Sequence, residues 1–241
     1  MRLIPSLLFT LVTVPAAFCA DPSPSVAWNV HVEVQMVSMP LQKGLQLLPN
    51  LLHAGSVEGA FSQIQKMVAT GEATLIAWPK VVTRSGQRAV TEDIQEIRYA
   101  TGYGSRPTTT LAKDEAGKTP VRAEPLSGGA PVPTAFETRN VGATLEVEPV
   151  VGPDGRTISL NLVPQHVRLL DYTVVAAGRD ANGHDWKIEQ PRFFTSKTTT
   201  SLTVTTGQRV LLADFRGPEG SDQIEFFILK GEMVTDEVKP K

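Results

Sequence analysis

The sequence predicts an α+β domain that is mostly antiparallel β-sheet, with one amphipathic helix packed on the sheet. Aromatic residues make up only 6% of the chain, whereas Thr, Val and Leu are frequent, a composition typical of half-buried strands. Short segments alternate apolar and polar residues, and 19 glycines with 18 prolines supply turns between them. Runs of strands with a single helix among them favour the α+β class.

Composition and charge exclude several classes of protein. With 241 residues, 41% of them hydrophobic and 20% charged, the chain is not collagen-like, disordered, coiled-coil or disulfide-dense. A formal net charge of −2 gives no electrostatic basis for binding nucleic acid. Beyond the N-terminal segment, no apolar run reaches the roughly 20 residues of a membrane-spanning helix. The composition indicates one globular domain or two small ones.

Residues 1–20 have the pattern of a secretory signal peptide. One positive charge, Arg2, precedes an apolar stretch over residues 7–14, and small residues follow it. We therefore expect an exported protein whose mature domain is residues 21–241.

The single cysteine, Cys19, lies at the end of this signal. Cleavage is expected after Cys19 or after Ala20, so the mature domain has no disulfide. A lipoprotein acylated on Cys19 is an alternative, although Phe18 stands where such signals have a small residue. An uncleaved membrane anchor is a further alternative, against which the short apolar core argues.

The clearest strand opens the mature domain, and a helix follows it. Residues 28–37 alternate between three valines and a methionine on one face and polar side chains on the other. Residues 41–53 are leucine-rich but contain a glycine and a proline, so their state stays open. From Ser56, a candidate N-cap, apolar residues recur at helical spacing until Gly71. This pattern predicts the amphipathic helix.

Two further strands and an unusual segment follow the helix. Residues 73–83 form a β-branched run in which Pro79 cannot donate to a ladder and so marks an edge or a strand break. Turn residues 84–87 lead into a second strand-like run at 88–99. Residues 101–134 are rich in glycine, proline and threonine, which predicts a flexible insertion between two strands.

Regular alternation returns after the insertion. Residues 141–163 alternate on both sides of a Pro-Asp-Gly turn at 153–155, which predicts a hairpin. In its first strand Leu145, Val147 and Pro149 share one face.

The C-terminal third predicts a loop and a last group of strands. A looser loop is expected at 174–191. Residues 198–206 and the run after Gly207–Gln208 predict a second hairpin, residues 224–229 a strand that closes the sheet, and residues 235–241 a polar tail. The sum is eight or nine strands and one helix.

The sequence contains no motif of a catalytic, cofactor or metal site. The histidines lie far apart, and His31 and His166 are expected on exposed strand faces. Residues 180–185 resemble the start of a calcium loop, but Pro191 stands where the closing glutamate belongs, which favours a surface turn. There is no Gly-x-Ser-x-Gly elbow. We predict a protein that is not an enzyme and has no cofactor.

Four segments, in chain order, resemble the secretin domain of the bacterial type II and III secretion family. Residues 30–36 resemble its opening strand, and the helix ending near Met67 resembles its helix. The segment 74–89 is similar to the family's Pro-x-Val-x-Thr stretch. Its matching positions are Pro79, Val81, Thr83, Gln87 and Ala89. The similarity extends over residues 28–234.

The third and fourth segments carry the most specific similarity. The hairpin from Asn140 resembles the family's Val-Gly-x-x-Leu-x-Val-x-Pro strand, with matches at Val141, Gly142, Leu145, Val147 and Pro149. Residues 190–215 resemble a strand pair with a central Gly-Gln, here Gly207 and Gln208. These residues and Pro79 are the expected structural or interface positions. Gly142 would permit a close backbone approach and Pro149 would end a ladder; ordinary turn and edge roles are the alternative.

The resemblance implies a secretin-like subunit that self-associates into a ring with a shared wall of strands. It also implies other envelope secretion components as partners, contact with the outer membrane, and a location in the periplasm or outer membrane. In family terms residues 101–134 lie where the gate hairpins of the pore occur, and a surface loop is the alternative. Pairing between copies is physically coherent, because it would satisfy strand edges that one copy leaves open.

The chain also departs from the family pattern. Only about eight residues separate the expected signal from Trp28, where the family has ring-building modules. Residues 213–215 replace a Gly-Gly-Leu, and the polar residues 216–222 replace an apolar segment of the membrane-facing lip. These departures favour an alternative function, a soluble periplasmic binding or accessory module that keeps the fold without forming a pore. A hydrolase built on scattered residues such as His166 or His184 is a third class.

Overall fold

Two five-stranded antiparallel sheets, two helices and a separate strand pair make up the described part of the chain. The computed structural model describes residues 28–234 except 106, 112–120, 126–128 and 181. The signal peptide expected at 1–20 and the tail expected at 235–241 lie outside the described residues. The predicted α+β class with mostly antiparallel strands is confirmed.

The helices and strands follow one another along the chain. In order they are β1 (Asn29–Pro40), α1 (Leu41–Leu51), α2 (Val57–Ala69), β2 (Thr74–Ala77), β3 (Lys80–Arg84), β4 (Ala89–Gly104), β5 (Pro107–Leu111), β6 (Val121–Pro125), β7 (Val132–Val151), β8 (Thr157–Arg179), β9 (Asp185–Lys197), β10 (Thr200–Thr205), β11 (Arg209–Arg216) and β12 (Gln223–Val234).

Sheet A has the order β11-β12-β1, and both β2 and β3 pair with the far side of β1. The break between β2 and β3 falls at Pro79, as the sequence predicts. The N–H of Val34 donates to the Pro79 carbonyl at 3.1 Å and so bridges the break. The strand expected to close the sheet, β12, instead lies inside it between β11 and β1.

Sheet B has the order β10-β8-β7-β4, and β9 also pairs with β8. The predicted hairpin of β7 and β8 is confirmed, and both strands are longer than the sequence pattern indicates. Two expectations are wrong. The loop expected at 174–191 is largely a hairpin of β8 and β9. The hairpin expected around Gly207–Gln208 does not form, because β10 pairs with β8 in sheet B whereas β11 pairs with β12 in sheet A.

The two sheets pack face to face, and the two helices cover the other face of sheet A. On β1, Val30, Val32, Val34 and Met36 join the core between the sheets. Val37 and Met39 join a second core beneath the helices. The predicted alternation is therefore confirmed, but the polar face of β1 is also covered. Burial on both faces makes β1 the central strand of the domain.

The second helix confirms the sequence prediction, and the first adds to it. Ser56 is the N-cap residue of α2, but its hydroxyl donates to the carbonyls of Asn50 and His53 rather than capping the helix. Helix α1 forms in the leucine-rich segment despite Gly44 and Pro49. Sheet A with α1 and α2 is called the body below.

The segment 101–134 contains paired strands where it is described. Its first and last residues continue β4 and β7, and β5 pairs with β6 as a separate two-stranded sheet. Residues 106, 112–120 and 126–128 of the expected insertion lie outside the described residues. Among the helices of the described ranges, neither has the length and apolar character needed to cross a membrane.

Candidate functional site

Sheet B divides at a fork between β7 and β8. The two strands pair only as far as Gly142 and Val167. Beyond this point residues 132–141 of β7 continue with β4, and residues 168–179 of β8 continue with β9. These two pairs are called the β4–β7 arm and the β8–β9 arm.

The fork requires a glycine at position 142. Gly142 has φ = 127°, in the range that side chains with a Cβ rarely adopt. A Cβ built there would lie 2.1 Å from the carbonyl oxygen of Asp93 on β4. The backbones of β7 and β4 therefore lie too close together at Gly142 for a residue with a Cβ.

The two arms contact each other beyond the fork. Gln190 of β9 donates its side-chain amide to the Ala100 carbonyl of β4 at 2.7 Å. Arg139 of β7 donates to the Thr195 hydroxyl of β9 at 3.0 Å. The rings of Tyr99 and Phe193 lie 5.8 Å apart. The arms are therefore linked within one subunit.

A buried polar cluster ties the β8–β9 arm to the body at the fork. Glu225 of β12 is fully buried, with 0% of its surface exposed. Its Oε2 accepts a hydrogen bond from the Ser196 hydroxyl of β9 at 2.8 Å, and its Oε1 forms an ion pair with Arg168 of β8. The guanidinium carbon of Arg168 lies 5.2 Å from the centre of the Phe194 ring. The side chains of Arg168, Ser196 and Glu225, with the nearby His166, are called the interlayer junction.

His166 is buried, which corrects the sequence expectation of an exposed position. Only 8% of its surface is exposed, and its Nδ1 has no hydrogen-bond partner among the described residues. The reason is strand parity, because Ile158, Leu160 and Leu162 of β8 occupy the face that packs on sheet A, and His166 lies on that face. Counting along β8 in steps of two from Ile158 would have placed His166 inside.

The environment of His166 opposes a positive charge on its ring. Burial lowers the pKa of His166; the negative charge of Glu225 opposes this shift and the positive charge of Arg168 adds to it. Near neutral pH the imidazole is therefore neutral.

We expect the free energy of unfolding to fall as the pH drops below about 6.5, the ordinary pKa of histidine. The unfolded chain then binds a proton at His166 at a higher pH than the folded protein does. The stability present above that pH is lost as the pH falls towards the lower folded pKa. Urea unfolding above and below pH 6.5 would measure this, with His166→Gln as the comparison. An identical pH dependence in the variant would contradict the assignment to His166.

The other predicted structural residues are distributed over the domain. Leu145 and Val147 lie in the core between the sheets, and Val141 is the first arm residue after the fork. The β4–β7 ladder ends at Ala89 and Val147, before Pro149, whose carbonyl accepts from the Gly86 N–H at 2.7 Å.

Gly207 and Gln208 form the corner where the chain passes from sheet B to sheet A. Gly207 has φ = 80°, and its N–H donates to the Gly231 carbonyl of β12 at 2.8 Å. The side chain of Gln208 accepts from the Thr205 N–H of β10 at 3.4 Å. The corner therefore contacts one strand of each sheet, which joins them covalently and by hydrogen bonds.

The side chains of these sites hold strands in position relative to one another. Within the described ranges, no three His, Cys, Asp or Glu side chains gather as metal ligands would. The charges of the interlayer junction face each other, so they hold strands in place.

A model of the secretin family, described as bacterial type II and III secretion system protein, matches residues 66–217. The match covers more than half of the chain. The chain is a member of the secretin family. The resemblance described above is confirmed over these residues, which extend from α2 to the residue after β11. The fork of this secretin lies within the matched range, and so do three of its four junction residues, His166, Arg168 and Ser196.

Solved secretin structures resemble this secretin at low identity. The secretin InvG of the Salmonella SPI-1 type III secretion injectisome is 11% identical with a TM-score of 0.45, covering 89% of this chain and 67% of its own. The type II secretin GspD from enteropathogenic Escherichia coli is 11% identical with a TM-score of 0.44, covering 87% of this chain and 70% of its own. The secretin XcpQ from Pseudomonas aeruginosa is 14% identical with a TM-score of 0.41, covering 88% of this chain and 60% of its own.

This secretin therefore spans about two thirds of the length of InvG and 60% of that of XcpQ. A comparison with curated protein sequences gives no match.

Proposed function

We propose that this secretin is a structural, non-enzymatic subunit of a bacterial envelope secretion or pilus-type assembly, and that its copies associate by strand pairing. The observation that carries the proposal is the open edge of β4. Among the described residues, β4 pairs with β7 along one side over almost its whole length of 16 residues, and no strand pairs with its other side. An edge of this length is a template for another strand.

The register identifies the backbone groups that this edge presents. In an antiparallel strand, alternate residues direct their N–H and C=O groups to opposite sides. The Asp93 carbonyl of β4 points towards β7, because its oxygen would lie 2.1 Å from a Cβ added at Gly142 of β7. The register with β7 has no shift around this residue, so the alternate residues Glu92, Glu96 and Arg98 point their backbone groups to the open edge.

The proposed partner is a second copy of this chain, which would offer the edge of β9. Among the described residues this strand pairs only with β8, as does the shorter β10 beside it, so sheet B is open at β4 on one side and at β9 and β10 on the other. Identical subunits with two different edges associate head to tail and close into a ring when the rotation permits. A ring in the periplasm or outer membrane, with other envelope secretion components as partners, is the proposed setting, and the predicted export signal supports it.

A soluble periplasmic accessory module is the second candidate function, and the charge of the edge favours it. The β4 edge carries Glu92, Asp93 and Glu96, all exposed, and β9 carries Pro191. Charged residues and proline on edge strands are devices by which proteins prevent pairing. In this alternative the fold is kept but the edges stay open in a monomer.

Replacing Glu96 by proline is expected to abolish self-association and leave the subunit folded. Proline removes only an N–H that points to the open edge, and edge strands tolerate it. Full-length protein would be extracted from bacterial membranes in detergent, and its mass measured by size-exclusion chromatography with light scattering. We expect a mass several times that of the subunit for the natural chain and the subunit mass for Glu96→Pro.

Glu96→Ala is the matched control, because it removes the same side chain but keeps the N–H. It should associate like the natural chain. A natural chain that is monomeric in both soluble and detergent fractions would contradict the proposal and support the accessory module. A folded Glu96→Pro variant of unchanged high mass would show that this edge is not the one used.

A further inference from the structure

The interlayer junction links the body to the β8–β9 arm, and the arm contains β9, one of the strands proposed to pair with a second copy. Glu225 belongs to β12 at the centre of the body, whereas Arg168 and Ser196 belong to β8 and β9 at the root of the β8–β9 arm. Arg168 is the residue directly after Val167, the last residue of β8 that pairs with β7. The polar contacts between body and arm therefore lie at the point where the arm begins.

A buried polar contact fixes geometry more strictly than an apolar one. The apolar core between the sheets, with Leu145, Leu160 and Phe227, would keep most of its burial if the sheets shifted slightly. The Glu225 carboxylate is different, because a small shift would separate it from Arg168 and Ser196 in a place that water does not reach. The placement of arm and body seen in the structure is the one that brings these three side chains together.

We propose that the interlayer junction sets the angle at which the β8–β9 arm leaves the body, and thereby the curvature of the assembly that copies of this chain form. The effect on the curvature of the assembly rests on the proposed function, whereas the effect on the angle of the arm does not. In a head-to-tail assembly the rotation between neighbours decides whether and at what number of copies the ring closes. Arg168, Ser196 and Glu225 act as positioning residues. The partner is a second copy of this chain, which would pair with the arm whose angle they set.

The test replaces the junction by apolar side chains. The variant Arg168→Met, Ser196→Ala and Glu225→Leu leaves no buried charge unpaired, and such replacements often preserve stability. We expect it to fold and to lose the single ring mass of the natural chain, giving a broad distribution of masses by light scattering. The charge-exchanged variant Arg168→Glu, Glu225→Arg keeps an ion pair and should narrow the distribution again.

The matched control removes an exposed ion pair of the same arm. Arg192 of β9 bonds Asp171 of β8 at 2.6 Å, with side chains 60% and 50% exposed. The variant Asp171→Asn, Arg192→Gln should keep the natural ring mass. A junction variant with the same single ring mass as the natural chain would overturn the inference.

A second measurement does not depend on assembly. Spin labels would be attached to cysteines introduced at two exposed positions, Val175→Cys on the arm and Gln63→Cys on α2, in a full chain carrying Cys19→Ser so that no other cysteine is labelled. The distance between the two labels reports the placement of the arm relative to the body. We expect one narrow distance distribution with the natural junction and a broad one in the apolar variant. Equal widths would overturn the inference even if the chain is monomeric. A monomeric natural chain with a broadened variant would contradict the proposed function alone.

Discussion

Replacing Gly142 by alanine is expected to lower the free energy of unfolding by about 2–6 kcal/mol, combining backbone strain with overpacking. Alanine would have to adopt φ = 127°, and its Cβ would lie 2.1 Å from the Asp93 carbonyl oxygen and 3.0 Å from the Cα of Ile94. Because all the close atoms belong to the β4 backbone, no side chain can rotate away. The strain is relieved only if β7 separates from β4, which breaks the ladder at the root of the β4–β7 arm. Urea unfolding monitored by circular dichroism would measure the change.

Gly59→Ala is the control for this experiment. Gly59 lies on α2, and a Cβ added there would have no described neighbour within 4 Å, so alanine meets no obstacle. It should raise the free energy of unfolding by about 0.5–1 kcal/mol, because glycine is a poor helix former. If the two variants proved equally stable, β7 would be able to follow an ordinary strand path through the fork.

Replacing Arg168 alone by methionine is expected to cost about 3–5 kcal/mol of stability. The Glu225 carboxylate would remain fully buried after losing its ion-pair partner, with the Ser196 hydroxyl as the remaining polar contact that the structure shows. The double variant Arg168→Met, Glu225→Leu should recover much of this loss, because it also removes the unpaired charge. A double-mutant cycle of the two positions would give a large coupling energy.

The exposed ion pair of Arg192 and Asp171 supplies the comparison. Arg192→Met should change the stability far less than Arg168→Met does, because exposed pairs are screened by solvent. If Arg168→Met were no more harmful than Arg192→Met, the carboxylate of Glu225 would have found water or another partner. The junction would then not constrain the arm.

Strand alternation predicts most of the fold, and tertiary contacts explain where it fails. The sequence leaves the state of α1 open because Gly44 and Pro49 are poor helix residues. In the structure a Cβ at Gly44 would lie 2.1 Å from the Ile224 side chain, so the glycine allows α1 to lie directly on β12. A residue that weakens the helix thus permits its packing, and no local pattern shows this.

The corner at Gly207 shows why turn chemistry leaves topology undetermined. A glycine with positive φ suits a hairpin, and it equally suits a chain that leaves one sheet for another. The difference lies in the partners of β10 and β11, which are distant in sequence from each other. The hairpin expectation is therefore wrong although the turn is placed correctly.

Only one residue of the interlayer junction, Glu225, stands out in the sequence. Glu225 interrupts the apolar run that extends from Ile224 to Leu229, and a charge in a buried strand needs a partner. The run alone does not identify that partner, because Arg168 and Ser196 come from another sheet. Only the packing of sheet A on sheet B brings the three side chains together.

The pairing of β1 with β12 has a consequence for the order in which the chain folds. The hairpins of sheet B close over short distances in sequence, whereas the centre of sheet A joins the first and last strands described, with Val34 opposite Leu229. Closing so long a loop is slow, and during synthesis it cannot begin before β12 is made. Until then β1 has β2 and β3 on one side but no strand on its other side. The body therefore closes late, because β12 supplies Phe227 and Leu229 to the core between the sheets and Ile224, Phe226 and Ile228 to the core beneath the helices.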